Sequence, residues 1–299
     1  MAPMNRRHLL ALCGSMLTSA ALPRVADAAG LRTLRQGVAR SVFGDMPLDA
    51  CCRLARSLGI EGFDFIGDPR DWRTVQRHGL TVSMLRADFG GGISIGRSPA
   101  GPPGWHEIGT IDAQGDYRRA MHALIDTAAQ QRFPNVIVLA GTRKQVSYEE
   151  GADNAVAFLN QIKSHAEDRE VTVCMENLNS LGRMAPLLSL FDHAAWGFDV
   201  VRRVNSPRVK ILYDIWHAQL MEGNILETLR ANIDWIGHIH TGSVPDRHEL
   251  YVHDELDYRT IAQELLKLDY RGFVTHEWSP SPGADVGRAL KQSVALLKP

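Results

Sequence analysis

The chain has 299 residues, with 33 Lys and Arg against 34 Asp and Glu and a formal net charge of −1. That balance argues against a nucleic-acid binder, which needs a basic excess or a clustered basic face. With 44% hydrophobic and 22% charged residues, the composition is that of a globular protein able to bury a sizeable core.

The N-terminus carries Arg6-Arg7, a weakly apolar run over 9–22 and the small-residue triplet Ala26-Asp27-Ala28. This pattern resembles a twin-arginine export signal, with Asn5 where Ser or Thr is usual. Residues 1–29 are therefore expected to be a signal, 30–299 to be one domain, and the mature protein to be exported, to the periplasm. The apolar run is too short and interrupted for a membrane span, so no membrane contact is expected of the mature form. Cys13 falls within the signal. Cys51, Cys52 and Cys174 show no C-x-x-C spacing and are expected to pack as small apolar groups.

Beyond residue 30, short apolar runs alternate with helical patterns. A first strand is expected over 37–43, followed by a helix over 47–58. The second strand is placed at 63–66 with a helix over 72–78, and the third strand at 81–85. A long Gly/Pro-rich stretch, 88–115, contains Gly90-Gly91-Gly92; loops that long are usually functional. A helix over 117–132 leads to a buried strand at 135–139. The next helix, 148–167, places Ala155, Phe158, Leu159 and Ile162 on one face. Strands at 171–175, 209–213, 236–240 and 272–276 then alternate with helices at 196–204, 224–232, 258–268 and 284–297. Eight strand–helix units in strict alternation imply a parallel sheet closed as a (β/α)8 TIM barrel.

Barrel enzymes carry their chemistry at the C-terminal strand ends. Here four successive ends present Glu176, Asp214, His240 and Glu277. Three carboxylates aimed at one point are costly to bury unless a cation neutralises them. An oxygen-rich set with one imidazole suits a divalent ion: Mn²⁺ or Mg²⁺, with Zn²⁺ as a third choice. His238 shares a strand face with His240, which lies closer to the mouth and is preferred as the ligand. His217, three residues after Asp214, is a candidate for orienting a substrate. Arg247, on the loop after the seventh strand, is a candidate for clamping a substrate carboxylate. The early strands are read as ending in Phe43, Gly67 and Arg86, which are poor ligands. That disfavours a multi-metal nuclease on the same barrel.

Several stretches resemble the hydroxypyruvate isomerase family of xylose-isomerase-like barrels. They are Cys174-Met-Glu-Asn-Leu-Asn-Ser180, Leu212-Tyr-Asp-Ile-Trp-His-Ala-Gln219, Met221-Glu-Gly-Asn224, His238-Ile-His-Thr-Gly242 and Val244-Pro-Asp-Arg-His-Glu249. Glu255-Leu-Asp-Tyr258 and Tyr270-Arg-Gly-Phe-Val274 before Glu277 add to them. The resemblance is dense from about residue 135 onward and thin over 85–117. It implies one divalent metal on Glu176, Asp214, His240 and Glu277, with Glu176 and Glu277 also moving the proton. It further implies substrate contacts from His217 and Arg247. Hydroxypyruvate isomerases often carry Gln where this chain has His240; histidine there is usual in the ketose 3-epimerase branch. The expected activity is isomerisation of a small hydroxy-carbonyl compound, hydroxypyruvate to tartronate semialdehyde first. Epimerisation of a sugar and non-catalytic sugar binding are the alternatives. The expected partner is a small molecule, with no nucleic acid, and homo-oligomer formation is left open.

Overall fold

The computed structural model describes residues 32–86, 114–144, 146–251 and 253–298. The expected signal over 1–29 and most of the Gly/Pro-rich stretch lie outside the described residues. The strands are β1 (Arg35–Ala39), β2 (Gly62–Asp64), β3 (Thr81–Met84), β4 (Asn135–Leu139), β5 (Thr172–Glu176), β6 (Val209–Asp214), β7 (Ile236–Thr241) and β8 (Phe273–His276). They form one sheet in the order β3-β2-β1-β8-β7-β6-β5-β4, and every described pairing is parallel. The ring closes between β3 and β4. Leu85 N–H donates to the Asn135 carbonyl at 2.9 Å, and Ile137 N–H to the Leu85 carbonyl at 3.0 Å. The expected TIM barrel is thus the observed fold.

The helices are α1 (Leu48–Leu58), α2 (Pro69–Arg77), α3 (Gln114–Gln131), α4 (Tyr148–Asp168), α5 (Ala194–Val204), α6 (Ile215–Met221), α7 (Ile225–Asn232), α8 (Tyr258–Lys267) and α9 (Val286–Leu296). Short polar side chains start several of them. Asp68 caps α2 ahead of Pro69, and Ser147, Asp257 and Asp285 cap α4, α8 and α9 through backbone N–H groups of the first turn. Gly59, at φ 85°, lets α1 end in a left-handed turn. Apolar faces of the helices pack on the outer face of the strands. Among the described residues no helix is long and apolar enough to cross a membrane.

Inside the barrel a smaller apolar cluster, Met84, Ile137, Cys174 and Leu212, takes one residue from each of β3 to β6. Part of the interior is polar, with Asp64, Ser83, His238 and Thr275 all at 0% exposure. Gly62 makes room there: a Cβ would lie 2.5 Å from Ser83 Oγ and 2.9 Å from the Phe273 ring. Cys51, Cys52 and Cys174 are buried free thiols, as expected.

Three expectations require correction. The first strand ends at Ala39, and Arg40–Phe43 turn into a 3-10 helix, so the apolar Val42 and Phe43 pack outside the sheet path. The helix expected to follow β6 at 224–232 is preceded by α6, which starts on the residue after the strand. The early strands are also not free of candidate ligands, because Asp64 at the end of β2 is wholly buried within the barrel.

Candidate metal centre

Each candidate ligand sits at the end of a strand. Glu176 and Asp214 are the last residues of β5 and β6. His240 pairs with Asp214 in register on β7, and Glu277 follows β8 directly. One donor atom from each of the four lies within 4.8 Å of the others. His240 Nδ1 is 2.7 Å from Glu277 Oε2, 3.2 Å from Glu176 Oε1 and 3.8 Å from Asp214 Oδ2. Asn177 holds two of these strand ends together. Its Oδ1 accepts from Asp214 N–H at 2.7 Å, and its Nδ2 donates to the Asp214 carbonyl at 3.0 Å.

The electrostatics of the cluster follow from burial and crowding. Burial pushes Glu176 up to about 7, with the neighbouring Glu277 adding to the rise. Burial also opposes ionisation of Asp214 and Glu277, yet Arg247 and His240 hold both carboxyls below their ordinary range. Against the cost of burial, the surrounding carboxylates raise His240 well above an ordinary imidazole. Arg247 reaches in from the loop after β7. Its Nη2 lies 2.6 Å from Asp214 Oδ2 and 2.5 Å from Glu277 Oε2, while its guanidinium stacks 4.5 Å from the Trp216 ring. The sequence pointed Arg247 at a substrate; the structure ties it to two of the candidate ligands as well.

His217 is buried on the first turn of α6. Its Nδ1 accepts from the backbone N–H of Asn179 at 2.9 Å. Burial lowers it to about 4. It is therefore neutral at pH 7 with its proton on Nε2, which lies 3.9 Å from Asp214 Oδ2.

A cavity of about 650 Å³ opens over the cluster. Glu176, His217, Arg247 and Glu277 line it, together with an apolar wall that includes Phe65, Tyr117, Leu178, Met184 and Trp216. The loop carrying Leu178 and Met184 is anchored by Asp192. That buried carboxylate accepts from Ser180 Oγ at 2.7 Å, Tyr148 Oη at 2.9 Å and Arg143 Nη2 at 3.0 Å.

The cluster fits a divalent cation. Three carboxylate oxygens and one imidazole nitrogen converge, and among the described residues Arg247 is the basic side chain paired directly with two of the carboxylates. This is the donor set hard-to-borderline ions prefer. Beneath it lies a residue that sequence reasoning missed. Asp64 Oδ2 lies 2.9 Å from His240 Nε2 and 2.7 Å from His238 Nε2. The signal was there: in Gly62-Phe-Asp-Phe-Ile66 the period-2 alternation puts Asp64 on the same face as Gly62.

The sequence model of the xylose isomerase-like TIM barrel family matches residues 52–299. A 2-oxo-tetronate isomerase of Cupriavidus necator is 27% identical over 227 residues, covering 75% of this chain and 74% of that protein. A Danio rerio protein carrying a provisional hydroxypyruvate isomerase name is 37% identical over 89 residues. That match covers 30% of this chain and only 32% of the fish protein. Among solved structures, an AP endonuclease, family 2, from Brucella melitensis superposes with a TM-score of 0.73 at 23% identity, over 86% of this chain and 97% of that one. The 3-keto-D-glucoside 4-epimerase of E. coli gives 0.71 at 17%, over 89% and 99%. At these identities the structural likenesses speak to the fold alone.

Proposed function

Because this chain belongs to the xylose isomerase-like TIM barrel family, we propose that it is a metal-dependent isomerase acting on a small hydroxy-carbonyl compound, with hydroxypyruvate the leading substrate and tartronate semialdehyde its product. The observation that carries this reading is the convergence of Glu176, Asp214, His240 and Glu277 under the cavity. In this reading those four residues hold one Mn²⁺ or Mg²⁺, with Zn²⁺ the next choice. Such an ion supplies the positive charge that stabilises an enediolate.

The chain's own residues do the rest. One of Glu176 and Glu277 removes the proton from the hydroxyl-bearing carbon, and the C–H electron pair becomes the new C=C bond while the carbonyl pair moves onto oxygen. The same carboxyl group or the other returns a proton to the former carbonyl carbon, and the hydroxyl oxygen passes its own proton to the former carbonyl oxygen as the aldehyde forms. His217, neutral and with no hydrogen-bond partner for Nε2–H among the described residues, donates to a substrate oxygen. Arg247 lines the cavity and its buried Nη1 has no hydrogen-bond partner among the described residues, which suits the substrate carboxylate.

Sugar epimerisation is the second reading. It is favoured by a cavity of about 650 Å³, roomy for three carbons, and by histidine at position 240. A proton would then return to the opposite face of the same carbon. Incubation in heavy water with hydroxypyruvate and a panel of ketoses, with and without Mn²⁺, separates the readings. Metal-dependent deuterium in tartronate semialdehyde supports the isomerase, and label at one carbon of an unrearranged ketose supports the epimerase. Glu176→Gln should abolish exchange while leaving ligand binding. Binding without exchange in the unmodified protein would leave a non-catalytic sugar binder. Export by the signal in residues 1–29 is part of the same proposal; a mature N-terminus beginning near residue 30 in a periplasmic fraction is its test.

A further inference from the structure

Beneath the candidate centre the barrel interior holds a hydrogen-bonded chain whose members other than His240 have no part in the proposed reaction. Asn135 Nδ2 donates to the Ser83 carbonyl at 2.8 Å and faces His238 Nδ1 at 3.5 Å. His238 Nε2 lies 2.7 Å from Asp64 Oδ2, and His240 Nε2 lies 2.9 Å from the same oxygen. Ser83 Oγ donates to Asp64 Oδ1 at 2.5 Å. Asp64, His238 and His240 are each 0% exposed.

The donor and acceptor roles along this chain are forced. The Asn135 amide nitrogen only donates, so His238 Nδ1 is the acceptor and His238 carries its proton on Nε2. An ionised carboxylate only accepts, so the nitrogen of His240 that meets Asp64 must also be N–H. His240 therefore holds its Nε2 proton against Asp64, which leaves Nδ1 as the nitrogen that faces Glu176, Asp214 and Glu277. The ring is stiffened from the side as well: the Phe65 ring meets it edge-on at 5.7 Å and His238 at 5.1 Å.

We propose that Asp64 is a positioning residue of the metal centre: it fixes His240 as the Nε2–H tautomer, with Nδ1 aimed at the ion, and His238 braces Asp64 from below. This rests on the metal-site reading above. A carboxylate behind a metal-bound histidine orients the ring and raises its basicity, and losing one weakens metal affinity about 10- to 100-fold. Because the Asp64–His238–His240 contacts are filled by protons, this triad takes no ion of its own.

The test uses the full chain labelled with ¹⁵N-histidine. Titration with Mn²⁺ and Zn²⁺ should give one ion per chain, and Zn²⁺-loaded protein should show His240 with a protonated Nε2 and a ligated Nδ1. Asp64→Asn should weaken binding about 10- to 100-fold and move the ¹⁵N resonance of His240 Nε2 in the Zn²⁺-loaded protein. Ser83→Ala, which leaves both Oδ2 contacts in place, should change affinity less than about threefold. Unaltered affinity and an unaltered ¹⁵N pattern in Asp64→Asn overturn the proposal. An unprotonated His240 Nε2 in the unmodified protein overturns it even if the variant does not fold, as does a second bound ion. No binding of either ion by the unmodified protein overturns the metal-site reading itself, and this inference with it.

Discussion

Replacing Arg247 by Met removes a buried cation while keeping most of the side-chain stem. Its Nη2 contacts Asp214 and Glu277 at 2.6 and 2.5 Å, with Arg247 20% exposed, Glu277 21% and Asp214 fully buried. Without it, His240 is the basic side chain left in direct contact with these crowded carboxylates among the described residues. Breaking a buried pair by removing one partner costs about 3–5 kcal/mol; the partial exposure of Arg247 and Glu277 places this site near the lower end. For a barrel of about 270 residues each kcal/mol moves the melting midpoint by about 2 °C. Metal-free Arg247→Met should therefore melt about 6 °C below the unmodified protein. An incoming ion reverses the comparison. In the unmodified protein it competes with the guanidinium for Asp214 and Glu277, whereas in the variant it does not. Saturating Mn²⁺ should thus raise the midpoint of the variant by several degrees more than that of its parent. Calorimetric melts of both proteins in chelator and in excess Mn²⁺ measure the two quantities. Metal-free midpoints within about 1 °C of each other, or a smaller Mn²⁺ response in the variant, would refute the picture of Arg247 as the cation that neutralises the cluster.

Metal affinity should climb with pH. Glu176, pushed up to about 7 by burial, and His240, raised by its carboxylate neighbours, must both lose protons to bind an ion. Titration calorimetry between pH 6 and 8 should show up to about tenfold tightening per pH unit for each proton released, and a flat profile would contradict this charge assignment. His217, lowered to about 4 by burial, stays neutral in the folded state while the unfolded chain protonates it below about 6.5. The stability it contributes is present above 6.5 and is lost as the pH falls toward 4, by about 3 kcal/mol in all. Urea denaturation of metal-free protein at pH 7 and 4.5 should show a smaller acid loss in His217→Gln than in the parent. Away from the centre, Gly197→Ala should cost about 1–3 kcal/mol, because a methyl group there runs into the Phe191 ring; an unchanged denaturation midpoint would mean that the ring moves aside freely.

The parts of the molecule readable from sequence were those with a strong local period. Strands such as Asn135–Leu139 are short, apolar and bounded by polar turns, so their existence and spacing were plain, and eight of them implied closure. The four candidate ligands were readable because each stands where an apolar run ends. Three features escaped. The stretch Ile215–Met221 follows β6 without a linker, so no composition change marked a new helix. Val42 and Phe43 are apolar like Val38 and Ala39 of β1, yet they lie in a 3-10 turn that has left the sheet. Asp64 ends a strand of three residues whose register slips against β3 between Phe63 and Asp64, and its meaning depends on two histidines more than 170 positions away. Local pattern carries the scaffold; a buried polar contact between distant strands becomes visible only when the ring is closed.

Asp214 ends β6 and also caps α6: Oδ1 accepts from the backbone N–H of His217 at 3.0 Å, while Oδ2 faces the cluster. The two oxygens of a carboxylate move as one rigid plate. Tilting the plate to suit a cation of another radius tugs on the turn that carries His217. On the proposed reading, ion choice and grip on the substrate are therefore geared together, so a swap of metal should be felt as a change in how tightly the reactant is held.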